Sequence, residues 1–114
     1  MADIHGDALR GHLEAIVLSS LKRGEAHGFE IMRRLEEAGE GVLKLKEGSL
    51  YPALYRLEQA GMIKGEWESG ASGRRGPRRR IYRLTAKGSR RLEEARGEFR
   101  TFVSVIGGIL EVTS

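Results

Sequence analysis

The 114 residues include no cysteine. That excludes a disulfide framework, a thiolate zinc site and a cysteine nucleophile, and it fits a reducing compartment. The longest stretch without a charge, Thr101–Leu110, is ten residues, half of the roughly 20 that a membrane-spanning helix needs. The first 21 residues lack the basic start and apolar run of a signal peptide. Catalytic constellations are missing as well. His5, His12 and His27 have no metal-ligand spacing. There is no GxxxxGK[ST] phosphate loop and no GxSxG elbow. The acidic pairs Glu36/Glu37 and Glu93/Glu94 are helix neighbours whose side chains point apart. These absences describe one soluble, cytoplasmic, non-enzymatic domain without cofactor or metal, long enough to bury a single core.

What the chain has in excess is glycine and unevenly placed charge. Glycine contributes 16 residues, roughly twice its usual share. The net charge is +4, but residues 1–40 hold five basic and eight acidic side chains, whereas residues 41–100 hold 15 basic and seven acidic. The segment Arg74–Arg83 carries six arginines and no acid. Such polarity gives one face to a polyanion and leaves the other for something else.

Apolar periodicity orders the elements. After a short frayed lead, Asp7 is placed to cap a helix whose inner face is Leu9, Leu13, Ile16, Val17 and Leu21, stopped by Gly24. A second helix follows Gly28, with Phe29, Ile31, Met32 and Leu35 apolar and Arg33, Arg34, Glu36 and Glu37 wet. Gly39 and Gly41 stop it. A third begins between Glu47 and Leu50 and ends at Gly61, with Leu50, Leu54 and Leu57 inward. Pro52 requires that its position be near the first turn. Met62–Glu68 and Arg78–Leu84 alternate as the strands of a hairpin with a glycine-rich tip at Ser69–Pro77. Thr85 caps a last helix reaching roughly Leu110. The fold class is mainly α with a small β-hairpin: a winged helix-turn-helix at residues 1–85, and a long C-terminal dimerisation helix at 86–114, forming one compact unit.

In this arrangement the third helix lies in a major groove and the hairpin along the flanking backbone or minor groove. The outward face of the third helix carries Gly48, Pro52, Tyr55 and Gln59, flanked by Tyr51 and Arg56. Small residues at its start let backbone approach DNA, so that Ser49, Tyr51, Tyr55 and Arg56 reach phosphates or base edges. Lys44 and Lys46 are placed for phosphates. In the hairpin Arg74, Arg75, Arg78 and Arg79 neutralise phosphates with release of counterions, while Arg80 or Arg83 points away. A charge run is ordinarily a solvated face; its position directly after this helix gives it a partner. On the last helix Leu92, Ala95, Phe99, Phe102, Ile106 and Ile109 recur at the 3-4 spacing of a coiled-coil seam, widened by Val103 and Leu110. The turns around Leu92 close the core, and the remainder is read as a face for a second copy. The reading from another class is a winged-helix protein-interaction module whose basic hairpin binds an acidic partner.

Several blocks resemble the PadR-like transcriptional regulators, in particular the short subgroup with a single C-terminal helix. They are Leu21-Lys-Arg-Gly24 with His27-Gly-Phe-Glu-Ile31, Gly48-Ser-Leu-Tyr-Pro-Ala-Leu-Tyr-Arg-Leu-Glu58, Gly61-Met-Ile63 with Trp67, and Arg78-Arg-Arg-Ile-Tyr-Arg-Leu-Thr85 with Gly88. The likeness runs from about Leu13 to about Phe102. It implies a homodimeric repressor on a palindromic operator, with double-stranded DNA as partner. It also implies that the first and last helices build the dimer, adding Leu9 and Leu13 to the interface. Some members of that family release DNA on binding phenolic acids or planar cationic drugs between the C-terminal helices. Where the family often has a stacking Trp, this sequence has Phe99, which with Phe102 would line such an effector pocket.

Overall fold

A computed structural model describes residues 3, 4, 6–68 and 78–112. The described elements are α1 (Leu13–Leu21), β1 (Ala26–His27), α2 (Gly28–Ala38), α3 (Glu47–Gln59), β2 (Ile63–Trp67), β3 (Arg80–Leu84) and α4 (Ala86–Ile109). The fold is mainly helical, with one small antiparallel sheet in the order β1-β3-β2. The expected hairpin is thus the larger part of a three-stranded sheet. Ile63 pairs with Leu84 and Trp67 with Arg80, and Ala26 and His27 add a third strand opposite Tyr82 and Ile81. Two residues are too short a run for any alternation to mark them. The tip at 69–77 lies outside the described residues.

Most of the core lies where the periodicities place it, but in α1 Leu18, off the expected face, is buried while Leu13 and Ile16 are only partly so. Val17, Leu18 and Leu21 of α1, Ile31 and Leu35 of α2, Leu50, Leu54 and Leu57 of α3, Ile63, Tyr82 and Leu92 are all buried together. Ala53 is buried beside the three leucines of α3. Phe29 departs from the expected apolar face of α2, being 70% exposed. Arg34 departs in the other direction. Its Nη1 donates to the Ser20 and Gly24 carbonyls at 2.9 and 2.8 Å, supplying partners for the carbonyls that the end of α1 leaves open.

The N-terminal part differs from expectation. Gly6–Leu9 forms a 3-10 turn, Gly11 takes a left-handed φ of +83°, and α1 begins only at Leu13. Asp7 is therefore too early to cap α1, because the chain turns at Gly11. The lead is not frayed at residue 4: Ile4 N–H donates to the Val42 carbonyl at 2.8 Å, and Lys44 N–H donates to Ile4 at 2.7 Å.

Helix ends follow one rule. The Gly61 N–H reaches the Glu58 carbonyl and the Met62 N–H that of Leu57, the paired bonds of a Schellman motif with Gly61 at φ +76°. The end of α2 has the same bonds, from Glu40 to Glu37 and Gly41 to Glu36. There the first left-handed residue is Glu40, at φ +52°, with Gly41 following at +76°, so Gly39 and Gly41 do not stop the helix alone. In α4, Glu111 at φ +59° takes that place. Thr85 caps α4 as expected, accepting from the Gly88 N–H at 3.0 Å. A Cβ on Gly88 would come within 1.9 Å of the Met62 carbonyl oxygen, so α4 enters the fold at glycine-only distance from the backbone before β2.

Beyond Leu92, no residue of α4 is buried. The radius of gyration is 15.7 Å, against about 13 Å for a compact domain of 100 residues, and the longest extent is 55 Å. No helix among the described residues is long and apolar enough to cross a membrane.

Candidate nucleic-acid interface

With Leu50, Ala53, Leu54 and Leu57 turned inward, α3 presents Gly48, Ser49, Tyr51, Pro52, Tyr55, Arg56 and Gln59 to solvent. Pro52 stands one turn later than expected, at the sixth helical residue. Its ring nitrogen has no hydrogen to give the Gly48 carbonyl. The helix tolerates this at a point where Gly48 is open to solvent, with nothing within 4 Å of its missing Cβ. Tyr55 is 66% exposed, a large aromatic held in water. Tyr51 lies across the start of α2: a Cβ on Gly28 would stand 2.5 Å from its hydroxyl. Arg56 is exposed and pairs with Glu14 of α1 at 3.3 Å.

Lys44 and Lys46 are exposed on the segment that Ile4 bridges. Together with Ser49 and Arg56 they rim a shallow groove floored by Leu9, Leu13 and Leu45. Arg74 and Arg75 lie outside the described residues. Arg78 and Arg79 are exposed at the start of the returning strand. The Arg78 guanidinium lies 6.0 Å from the Trp67 ring centre, and Arg79 lies 2.9 Å from Nε2 of His27.

Arg80 has another role. Its guanidinium donates to Glu58 of α3 at 2.5 Å and sits 5.2 Å from the Trp67 ring centre. The bond to Glu58 raises its already high pKa. Arg80 crosses β2 at Gly65, where a Cβ would stand 2.7 Å from its Nε. This strut joins the sheet to α3. Sequence reasoning missed it, although a glycine inside a strand is the usual sign of such a close approach.

The predicted dimer residues divide into two groups. Leu9 and Leu92 lie in the interior of the chain, at 8% and 2% exposure, and so present no surface to a partner. Leu13 packs against the core edge. Ala95 and Ile106 are half-buried, whereas Phe99, Phe102, Val103 and Ile109 are exposed. Phe99 and Phe102 stack with centres 6.2 Å apart, and both meet the His12 ring edge-on, at 5.4 and 6.0 Å. The aromatic pair is therefore tied to the start of α1 within one chain.

Three helices followed by a two-stranded wing, with the third helix turned outward and strutted to the sheet, define the winged helix-turn-helix class. Residues 17–94 match the family model described as "Transcriptional regulator PadR-like family", and the chain belongs to that family, one of transcription regulators rather than enzymes. A transcriptional regulator from Clostridium thermocellum superposes with a TM-score of 0.81 at 30% identity, over 90% of this chain and 97% of that one. A PadR family regulator from Clostridium difficile gives 0.75 at 33% identity, over 88% and 99%. An uncharacterized protein of Lysinibacillus sphaericus is 27% identical over 95% of this chain and 96% of its own. The Escherichia coli transcriptional regulator YqjI is 29% identical over 75% of this chain, a match spanning only 38% of YqjI.

Proposed function

We propose that this regulator is a homodimeric, sequence-specific DNA-binding repressor that recognises an inverted repeat. The observation that carries the proposal is the outward face of α3. It has no acidic centre and no aliphatic patch, small residues at its start, and Tyr51, Tyr55 and Arg56 further along. Ser49 and Pro52 sit at the closest approach, with base edges left to Tyr55 and Arg56. Lys44, Lys46, Arg78 and Arg79, joined by Arg74 and Arg75 of the tip, neutralise phosphates. Residues 1–85 are the DNA-binding unit, and residues 86–114 supply the helix that pairs two copies. Two such units place their α3 helices about 34–36 Å apart.

The exposed Phe99, Phe102, Val103 and Ile109, with Ala95, Ile106 and Leu13 at the margin, are the dimer contacts. An effector would be an apolar, planar molecule held at Phe99 and Phe102.

A mobility-shift titration on the promoter of the regulated gene, at about 50 and 200 mM salt, tests the proposal. Retarded bands that weaken with salt are expected, with Tyr55→Ala losing affinity for the specific site more than for random duplex. Absence of a shift at both salt concentrations would sink it in favour of a protein-interaction role for the basic hairpin.

A further inference from the structure

The chain has one tryptophan, and it stands 58% exposed at the end of β2, although tryptophan is on average a highly buried residue. Strand alternation puts Trp67 on the same face as Ile63 and Gly65, across from Arg80, Tyr82 and Leu84 of β3. One end of that face belongs to the core, where Ile63 and Tyr82 are buried and Leu84 packs against the cluster. At the other end, at Trp67, the face leaves the core.

Two close approaches fix where that outer end lies. At one edge of the sheet Tyr51 of α3 reaches Gly28, which follows His27 of β1. At the other edge Glu58 of α3 lies 3.0 Å from where a Cβ on Gly65 would stand, and Gly65 is the partner of Tyr82. So α3 crosses beneath the sheet at the level of Tyr82. Ile63 and Leu84 are on the core side of this crossing, and Trp67, Arg80 and Arg78 are beyond it. Leu50, Leu54 and Leu57 turn toward the core, so the far side is also the one on which α3 exposes Tyr55 and Gln59. Trp67 thus borders the surface that α3 turns outward.

The ring is held in place. The Arg80 guanidinium lies 5.2 Å from its centre while bonded to Glu58, and that of Arg78 lies 6.0 Å away. A cation over the ring is attracted by its π face. Arg80 is neutralised by Glu58, whereas Arg78 is exposed. Glu66 is turned to the other face of the sheet, where it meets Lys64 and Arg83. A half-open ring beside an arginine suits a surface both apolar and anionic, as a deoxyribose with its phosphate is.

We infer that Trp67 packs against a deoxyribose of the DNA strand that runs between α3 and the wing, with Arg78 on the adjoining phosphate. The inference rests on the DNA-binding proposal and adds to it a contact without charge. Arg80 is a positioning residue, tying the ring to α3 so that helix and wing meet the duplex together.

The single tryptophan makes the test direct on the native protein. Sugar and phosphate contacts carry no sequence information, so a random duplex of about 20 base pairs serves. In the free protein acrylamide should quench Trp67 emission readily. At saturation, judged by the anisotropy of a labelled duplex, most of that quenching should be lost and the emission should move to shorter wavelength. Trp67→Ala should bind roughly tenfold more weakly, the effect of losing about half the burial of a large side chain, with a little-changed urea midpoint. Trp67→Phe keeps an apolar ring and should recover much of the loss, and Trp67→Gln should not. Arg78→Gln should lower the salt slope by about one unit per chain. Undiminished quenching in the saturated complex, or wild-type affinity in Trp67→Ala, overturns the inference and leaves the DNA-binding proposal standing. Failure of the native protein to bind any duplex overturns both.

Discussion

Tyr82 shows how burial writes a pH dependence into one side chain. It stands at the centre of β3, 7% exposed. Burial pushes its phenol pKa up, with the nearby charge of Arg80 opposing. An acid whose folded pKa is raised binds its proton more tightly folded than unfolded. Its contribution to stability is thus complete below the unfolded value near 10 and is lost as pH rises through the folded one. Urea titrations at about pH 9 and 10.5 should find the native protein weaker at the higher pH, and Tyr82→Phe should reduce that difference. Gly88 is a second such residue. Gly88→Ala forces a methyl onto the Met62 carbonyl and should cost roughly 3 kcal/mol, the upper part of the overpacking range, read as a lowered urea midpoint. At this scale the sequence was legible where a residue type has one habitual use, as with Thr85 before α4. It was silent where the use is unusual. Glu40 and Glu111 occupy left-handed positions that normally announce themselves as glycine, and His27 caps a helix with a ring that belongs to no common cap set.

Helices were more legible than the small sheet. The inward leucines of α3 and the start of α4 follow from spacing alone, because each buries a full apolar stripe. β1 was hidden because two residues carry no period. The late start of α1 was hidden because Leu9 keeps helical spacing with Leu13 across the break at Gly11. The distal half of α4 is the element whose apolar face the single chain leaves open. Phe99→Asp combined with Ile106→Asp should convert the proposed dimer to monomer, measured by light scattering, while thermal melting still finds the domain folded, since neither residue is buried in the core. An unchanged mass would place the dimer face elsewhere. Gly97 and Gly108 have nothing within 4 Å of a Cβ inside one chain, so an effect of Gly97→Ala on assembly would mark a close helix contact between copies.

Across the whole molecule, charge and shape divide the labour. Acidic excess lies in the first 40 residues, basic excess from Lys44 to Arg83, and the uncharged run at the far end of α4. Removing Arg74 and Arg75 together should weaken binding to specific and random duplexes alike. It should also flatten the dependence of affinity on salt, by about two units per chain if both meet phosphate. An unaltered slope would remove the tip from the interface. The division between basic and apolar regions is readable in the sequence. The strut from Arg80 to Glu58, which makes α3 and the sheet a single body, was not, since its partners lie 22 residues apart.

The bridge between Ile4 and Leu43 has a practical consequence for the bench. A purification tag or fluorescent fusion joined ahead of Ile4 starts from a residue bridged to the segment of Lys44 and Lys46, and under the DNA-binding proposal it should crowd a duplex held there. An acidic tag would also mimic one electrostatically. Labels are better carried after Val112, past the last turn of α4 and its Schellman close, and binding constants from N-terminally tagged material should be compared with tag-cleaved protein.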